Sequence, residues 1–353
     1  MKVDVAIVGG GLSGLGVAMG LHERGGDLLV LEARPRLGGR MLAIEGPRGG
    51  RFDLGPAWLW PHQTRLRALA NRFGIATFDQ HVHGTTVFEN PQGVVRRDLT
   101  LAPMAGSWRL DGGYGRLIDA VASTLDPARI WIDALVERVR QHGDRVALDL
   151  ADGRSVNARR VVFALPPRLV AALPFEPSLS PEFKTALSGV ATWMAASAKA
   201  MAFYETPFWR TKGLSGEAIS HRGPLVEIHD ASTHDGVGAA LFGFLGIPPA
   251  ARRTHAADLP AAVLAQLSSL FGPEAAQALD VVVMDWATEP LTSTPRDVSE
   301  ASRPGHPTVG VLPSPGSNWD DRIGLAGAEC GADEPGYAEG ALQAAEVALE
   351  RLN

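Results

Sequence analysis

The chain reads as an α/β protein that is opened by a βαβ unit and carries a smaller, inserted α+β domain. Three observations predict this. The apolar strand Val3–Val8 runs into a glycine-rich turn, then a helix Leu12–Arg24 and a second strand Leu28–Glu32. From Pro181 to about Leu279 the composition changes to alternating, strand-like runs, after which glycine-rich turns return. At 353 residues the chain is long enough for two domains, one interrupting the other.

The remaining elements follow in order. A loop-rich stretch from Ala33 to Gln63 leads into a helix over Thr64–Phe73, and short strands are expected at Thr86–Glu89 and Gly93–Arg97. Gly112-Gly113 opens a helix that runs to Leu125. A strand-like stretch, Leu135–Val139, follows, and then the strands Val146–Leu150 and Val161–Ala164, with Asp152-Gly153 as a hairpin turn between them. Pro166-Pro167 breaks the chain. The alternating run Lys199–Tyr204, the strand pair Leu225–His229 and Ala239–Leu245, and a helix over Asp258–Phe271 make up the inserted part. Pro335 precedes a closing helix, Tyr337–Leu352, whose Ala341, Ala344, Ala345 and Ala348 form a small-residue face suited to close packing.

Composition narrows the function classes. A formal charge of −6 argues against a nucleic-acid binder, which needs a basic surface. With Cys330 as the single cysteine, neither an internal disulfide nor a thiolate metal cluster can form. His81 and His83 could share a strand face, but no Cys or Glu cluster accompanies them, which favours a surface pair over a metal site. The first twenty residues lack a basic leader and a cleavage pattern, no apolar run approaches the ~18–20 residues of a spanning helix, and the chain stops at Asn353 without an anchor. A soluble, cytoplasmic protein is expected.

Gly9-Gly10-Gly11-Leu12-Ser13-Gly14 satisfies G-x-G-x-x-G between a strand and a helix, and Glu32 ends the next strand. Gly9 permits the tight turn, Gly11 lets the backbone approach a pyrophosphate, and Gly14 lets helix and strand pack closely. The helix start, with Ser13 in its first turn, presents N–H groups and a dipole to phosphates. Glu32 can accept hydrogen bonds from ribose hydroxyls and would repel a 2′-phosphate. Ala33-Arg34 and Gly38-Gly39-Arg40 then supply a second glycine pair and cations near the pyrophosphate, which points to an extended dinucleotide, FAD, rather than NAD.

Beyond this point the sequence resembles the flavin-containing amine oxidase family. The matching segments are Val8–Gly14, Leu31–Arg40 (LEARPRLGGR), Phe52–Pro61 (FDLGPAWLWP), Leu110–Leu117 (LDGGYGRL), Val161–Leu169 (VVFALPPRL), Lys199–Trp209 (KAMAFYETPFW), Asp285–Pro290 (DWATEP) and Arg322–Ala345. The resemblance implies an FAD-binding Rossmann-like domain of the GR2 type, made of residues 1–72, 107–178 and 281–353, with a substrate domain of residues 73–106 and 179–280. It implies that Gly9, Gly11, Gly14, Glu32, Arg34, Gly39 and Arg40 bind ADP. By the same resemblance, Gly55, Pro56, Ala57 and Trp58 pass beside the flavin, and the Val136 backbone meets the adenine. The resemblance also implies that Gly327, Glu329 and Ala338 hold the ribityl and pyrimidine end.

Lys199 is the sharpest candidate for chemistry. Alternation puts it on one strand face with Met201 and Phe203, opposite Ala198, Ala200 and Ala202. A lysine among bulky apolar residues needs a task or a route to water. It matches the family lysine that binds a water at flavin N5 and assists reoxidation by oxygen. Tyr337 matches one wall of an aromatic cage that orients the amine, and Trp286 matches a residue close to the flavin. Two positions depart from the family. Its covalent-flavin cysteine would fall at Pro295, so FAD should be noncovalent, and its second cage aromatic would fall at Arg296, a residue able to pair with a substrate carboxylate. The short stretch between Pro61 and Gly112 implies a small substrate domain, with a pocket either open or completed by a partner subunit of a homodimer. Glu227, His229, Phe242 and Phe244 are expected near the pocket from their order alone.

These features imply oxidation of a small-molecule amine to an imine, with electrons passing to O2 or another acceptor. Two alternatives stay open on sequence: a desaturase or oxidase acting on carbon, of the phytoene or porphyrinogen type, and a noncatalytic flavoprotein.

Overall fold

A computed structural model of the chain describes residues 1–301, 307 and 309–352. The opening βαβ unit is β1 (Lys2–Val8), α1 (Leu12–Glu23) and β2 (Leu28–Leu31). β1 lies between β2 and strand Ser155–Phe163 and is parallel to both, so the glycine turn after Val8 sits at the carboxyl edge of the sheet's centre. Beyond Ser155–Phe163 come Arg145–Leu150, Val136–His142 and Phe175–Glu176; Ile130–Trp131 flanks β2, and Ile323–Leu325 also pairs with Ser155–Phe163.

Helix Ala338–Arg351 packs along α1 through small residues: at Gly16 a side chain would meet Ala345 Cβ at 3.1 Å. The alanine face read from sequence, Ala341, Ala344, Ala345 and Ala348, is buried there. No helix among the described residues is long and apolar enough to cross a membrane.

The second large sheet runs Asp280–Asp285, Ala198–Tyr204, Ala239–Leu245, Leu225–Asp230, Leu214–Ser220, Thr85–Glu89, Val95–Leu99. Its pairs are antiparallel except that of Leu214–Ser220 with Thr85–Glu89. The period-2 pattern of Ala198–Tyr204 is realised in packing. Ala198, Ala200, Ala202 and Tyr204 face a core with Trp209 and Leu267, while Met201 and Phe203 face Phe52, in the short strand Arg51–Asp53, and the loop residues Leu54 and Ala57. That second face looks toward the first sheet and positions the site. An α/β part opened by the βαβ unit, with a smaller α+β part inserted into it, is thus present in one chain.

Candidate active site

The glycine turn is built by close approaches that exclude side chains. Gly9 adopts φ +109°, with its would-be Cβ 2.6 Å from the Ala164 carbonyl oxygen, and a Cβ at Gly14 would collide with the Gly9 carbonyl. α1 begins at Gly11 with no capping side chain, so its first-turn N–H groups keep their capacity for an anion. Ser13 Oγ instead donates to Ala326 O. Glu32 does more than end a strand: Oε2 accepts from Gly10 N–H and Oε1 from Arg34 N–H, both at 2.8 Å, so the carboxylate fixes the turn that it adjoins.

The two arginines expected at the pyrophosphate are held by carboxylates. Arg34 donates to Glu289 and to Thr292, each at 2.9 Å. Arg40 forms a bidentate pair with Glu329 at 2.7 and 3.0 Å, and Glu329 is fully buried.

At the other end, three consecutive carbonyls are held by the second sheet and its flank. Lys199 Nζ donates to Asp53 O at 3.1 Å and Gly55 O at 2.7 Å, and Trp286 Nε1 donates to Leu54 O at 3.2 Å. Lys199 is 3% exposed, with Nζ 4.3 Å from the centre of the Phe242 ring. Burial pulls its pKa down from 10.5 to about 7; the nearby Asp53 carboxylate opposes this and Arg109 adds to it. Burial pushes Asp53 up to about 6, against the pull of Arg109, Lys199 and the Tyr114 N–H.

One cavity of ≈ 520 Å³ joins the two ends. Of the residues expected from sequence to meet cofactor or substrate or to lie near the pocket, all line it except Gly14, Glu227, His229, Phe242, Arg296, Gly327 and Glu329. Gly14 and Gly327 act one layer back, where a Cβ would strike the Gly9 and Leu165 carbonyls respectively. Glu329 acts through Arg40. Phe244 lines the cavity, whereas Glu227, His229 and Phe242 stand behind Trp58, whose ring is 4.8 Å from that of His229.

Arg296 is directed elsewhere, to Glu300 and the Ser188 carbonyl, and is exposed. Among the described residues no group of three His, Cys, Asp or Glu side chains could hold a metal ion, and His81 and His83 meet edge to face, ring centres 5.6 Å apart. Sequence reasoning passed over Trp193 and Met194, which line the cavity, and Asp53, which faces Lys199. Asp53 is the one carboxylate of the quoted FDLGPAWLWP block, and its charge raises the Lys199 pKa. Trp193 carries no comparable signal.

The dinucleotide fits this cavity on the chain's own geometry. A side chain at Gly11 would project into it, meeting nothing nearer than Gly38 O at 4.0 Å, and an uncapped helix start opens on the same wall. A glycine loop, a buried carboxylate at the end of the second strand and a cavity running from them to a lysine and aromatic rings define an FAD-dependent oxidoreductase. The chain belongs to the flavin containing amine oxidoreductase family, whose sequence model matches residues 94–352; that of the NAD(P)-binding Rossmann-like domain matches residues 7–73.

A putative flavin-containing monoamine oxidase of Mycobacterium tuberculosis is 28% identical, covering 99% of this chain and 96% of the relative. That alignment spans 462 positions against a chain of 353 residues, so the relative has segments absent here. Putrescine oxidase of Kocuria rosea is 24% identical over 82% of this chain and 83% of its own. Cyclohexylamine oxidase from Brevibacterium oxydans has a similar structure, with a TM-score of 0.82 at 21% identity, covering 100% of this chain and 99% of that one. Wild-type putrescine oxidase bound to putrescine gives a TM-score of 0.80 at 20% identity, over 99% and 98%.

Proposed function

We infer that the chain is an amine oxidase that binds FAD noncovalently along this cavity and uses O2 as electron acceptor. The observation that carries the reading is the single cavity that runs from the glycine turn to a buried lysine. Bound there, FAD would supply two-electron chemistry: oxidation of the carbon alpha to the amine nitrogen to give an imine that hydrolyses to an aldehyde or ketone, with the electrons and protons passing to O2 to give H2O2.

The chain's residues supply the rest. Gly9, Gly11, Ser13, Glu32, Ala33, Arg34, Gly38, Gly39 and Arg40 hold the ADP half, with Val136 at the adenine. Gly55, Pro56, Ala57, Trp58 and Ala338 serve the other half, and Glu329 acts by holding Arg40. Tyr337 orients the amine, Trp286 fixes the Leu54 carbonyl, and Lys199 keeps one N–H for a water in the cavity after giving two to Asp53 and Gly55.

Noncovalent attachment is supported by Pro295, which offers no nucleophile, and by Cys330, whose thiol burial pushes up to about 12 and which lies off the cavity wall. We divide the chain as the sequence suggests, with residues 73–106 and 179–280 as the substrate domain. The family favours amines over the carbon-oxidising alternative. A peroxide-coupled screen of primary, secondary and poly-amines with amino acids, paired with anaerobic bleaching of the flavin, tests the reading. A flavin that no amine bleaches would defeat it and leave the noncatalytic alternative.

A further inference from the structure

Just before the lysine strand runs a short segment, Thr192–Met194, whose backbone is anchored on both flanks. Thr192 donates its N–H to Asp297 Oδ1 at 2.9 Å and its hydroxyl to Oδ2 at 3.3 Å, and Asp297 is itself held by Arg168 at 2.7 Å. Trp193 donates its N–H to Glu329 Oε1 at 3.1 Å, while its carbonyl accepts from Arg40 at 3.2 Å. Met194 follows in the left-handed region, φ +58°, which a residue with a side chain seldom adopts without reason. The carboxylates that fix the segment, Asp297 and Glu329, are both buried.

What these anchors hold in place is an aromatic surface. Trp193 is half-buried and lines the cavity, with its ring centre 5.5 Å from that of Tyr337 and the planes tilted by 36°. Rings at that separation are in direct contact, so no group fits between them, and the pair forms one wall instead of two jaws. Gly336 makes this possible: a side chain there would collide with Trp193 Cβ. The helical turn in which the family resemblance seeks a second aromatic, at Arg296, sends that arginine outward and uses the next residue, Asp297, to hold Thr192.

The charges around this wall limit what can lie against it. Among the described residues that line the cavity, Glu32 and Arg34 belong to the glycine-turn end, Arg40 is engaged by Glu329, and Lys199 offers no negative charge. Glu334, close to Tyr337 in sequence, already accepts from His62 and Gln63 at 2.5 Å each. A second ammonium on the substrate would find no uncommitted carboxylate there, and a substrate carboxylate would find no uncommitted guanidinium.

Resting on the amine-oxidising reading above, we propose that Trp193 is a specificity-determining residue which, with Tyr337, forms an aromatic wall selecting amines with apolar aryl or alkyl tails. Glu329 and Asp297 are positioning residues that act through the Trp193 backbone.

The test compares wild type with Trp193→Ala and Trp193→Phe. FAD retention is read from visible absorbance. Affinity is read by calorimetry with cumylamine, an aryl amine with no alpha hydrogen, which binds without turnover. Rates are measured for 2-phenylethylamine, 1,4-diaminobutane and phenylalanine. Trp193→Ala is expected to keep FAD, to bind cumylamine about tenfold or more weakly, and to raise KM for 2-phenylethylamine far more than it lowers kcat. Trp193→Phe should recover affinity to within about threefold. Wild type should favour 2-phenylethylamine over the other two by about tenfold or more in kcat/KM.

Equal cumylamine affinity in wild type and Trp193→Ala would overturn the proposal, as would a Phe variant no better than Ala or a wild-type preference for the diamine or amino acid. A wild type that neither binds nor oxidises any amine overturns the amine reading as well, and that result is seen before any variant is made.

Discussion

Lys199→Met isolates the buried cation. Methionine keeps the unbranched chain and most of the volume on a strand where Lys199 is 3% exposed. It removes hydrogen bonds to the carbonyls of Asp53 and Gly55, each worth about 1.5–3 kcal/mol for a charged donor. It also removes an ammonium whose burial lowers its pKa from 10.5 to about 7, a differential of about 5 kcal/mol against the charged form. The two effects are similar in size and opposite in sign, so the variant should fold, keep FAD and differ in stability by no more than about 2 kcal/mol.

Oxygen reactivity should change much more. If Lys199 acts as proposed, a unit charge about 5 Å from developing charge, at an effective dielectric of about 20, would be worth about 3 kcal/mol, or roughly a hundredfold in rate. The assay reduces the enzyme anaerobically with amine, mixes it with oxygenated buffer and follows the return of flavin absorbance. Since the Lys199 charge is present below about 7 and lost above it, the wild-type rate should fall as pH rises through that value, while the variant stays flat. The folded pKa also lies below the unfolded one. Between about 7 and 10.5 the unfolded chain therefore binds the extra proton, and wild-type stability should rise with pH in that window, by at most about 1.4 kcal/mol per unit. A variant that reacts with oxygen at the wild-type rate near pH 6, or a flat wild-type profile, would refute the assignment.

Further outcomes test the rest of the site. Gly14→Ala forces a Cβ into the Gly9 carbonyl and to 3.1 Å from Ala164 Cβ, which costs about 1–3 kcal/mol of overpacking. Fluorescence titration of the apo-protein should show FAD affinity reduced about tenfold or more. Arg109→Gln removes a buried cation that lowers the pKa of both Lys199 and Asp53, so the pH midpoint of oxygen reactivity should move upward; a midpoint that stays or falls contradicts that charge arrangement. With Pro295 in the attachment position, acid precipitation should release all flavin into the supernatant; flavin that remains on the protein pellet would mean covalent linkage.

Local pattern made much of this molecule legible. The βαβ unit announces itself because strand, glycine turn, helix and acid are contiguous. The face on which Lys199 stands follows from a period of two, realised as Met201 and Phe203 against the loop and Ala200 and Ala202 against the far core. What sequence could not supply is pairing at a distance. The Arg40–Glu329 clasp joins residues 289 apart and the Glu329–Trp193 bond joins residues 136 apart. Neither has a local signature, so Arg40 read as a pyrophosphate ligand alone and Trp193 went unnoticed. Strand Leu214–Ser220 mixes polar residues with a left-handed Gly216, and Asp280–Asp285 is an apolar run too short to type by periodicity.

The loop Asp53–Gly55 gives the lysine a place in the architecture beside the chemical role proposed for it. A segment that turns toward a bound cofactor must still satisfy its own buried carbonyls. Here the three oxygens are met by Lys199, Trp286 and Lys199 again, all from the second sheet or its immediate flank. Lysine carries three donors on one rotatable head, so two can hold the loop while the third faces the cavity that Lys199 also lines. An arginine, with its donors fixed in a planar fork, cannot divide them in this way. The same contacts tie the second sheet to the flavin loop, so that Lys199, Phe244 and Trp286 meet one cavity wall as a unit whose spacing is set by hydrogen bonds to a single stretch of backbone. A change at any one of them shifts the loop as well as the side chain. The pH profile is the readout that separates the two, because a displaced loop slows the reaction at every pH, whereas a lost cation removes only the part that titrates.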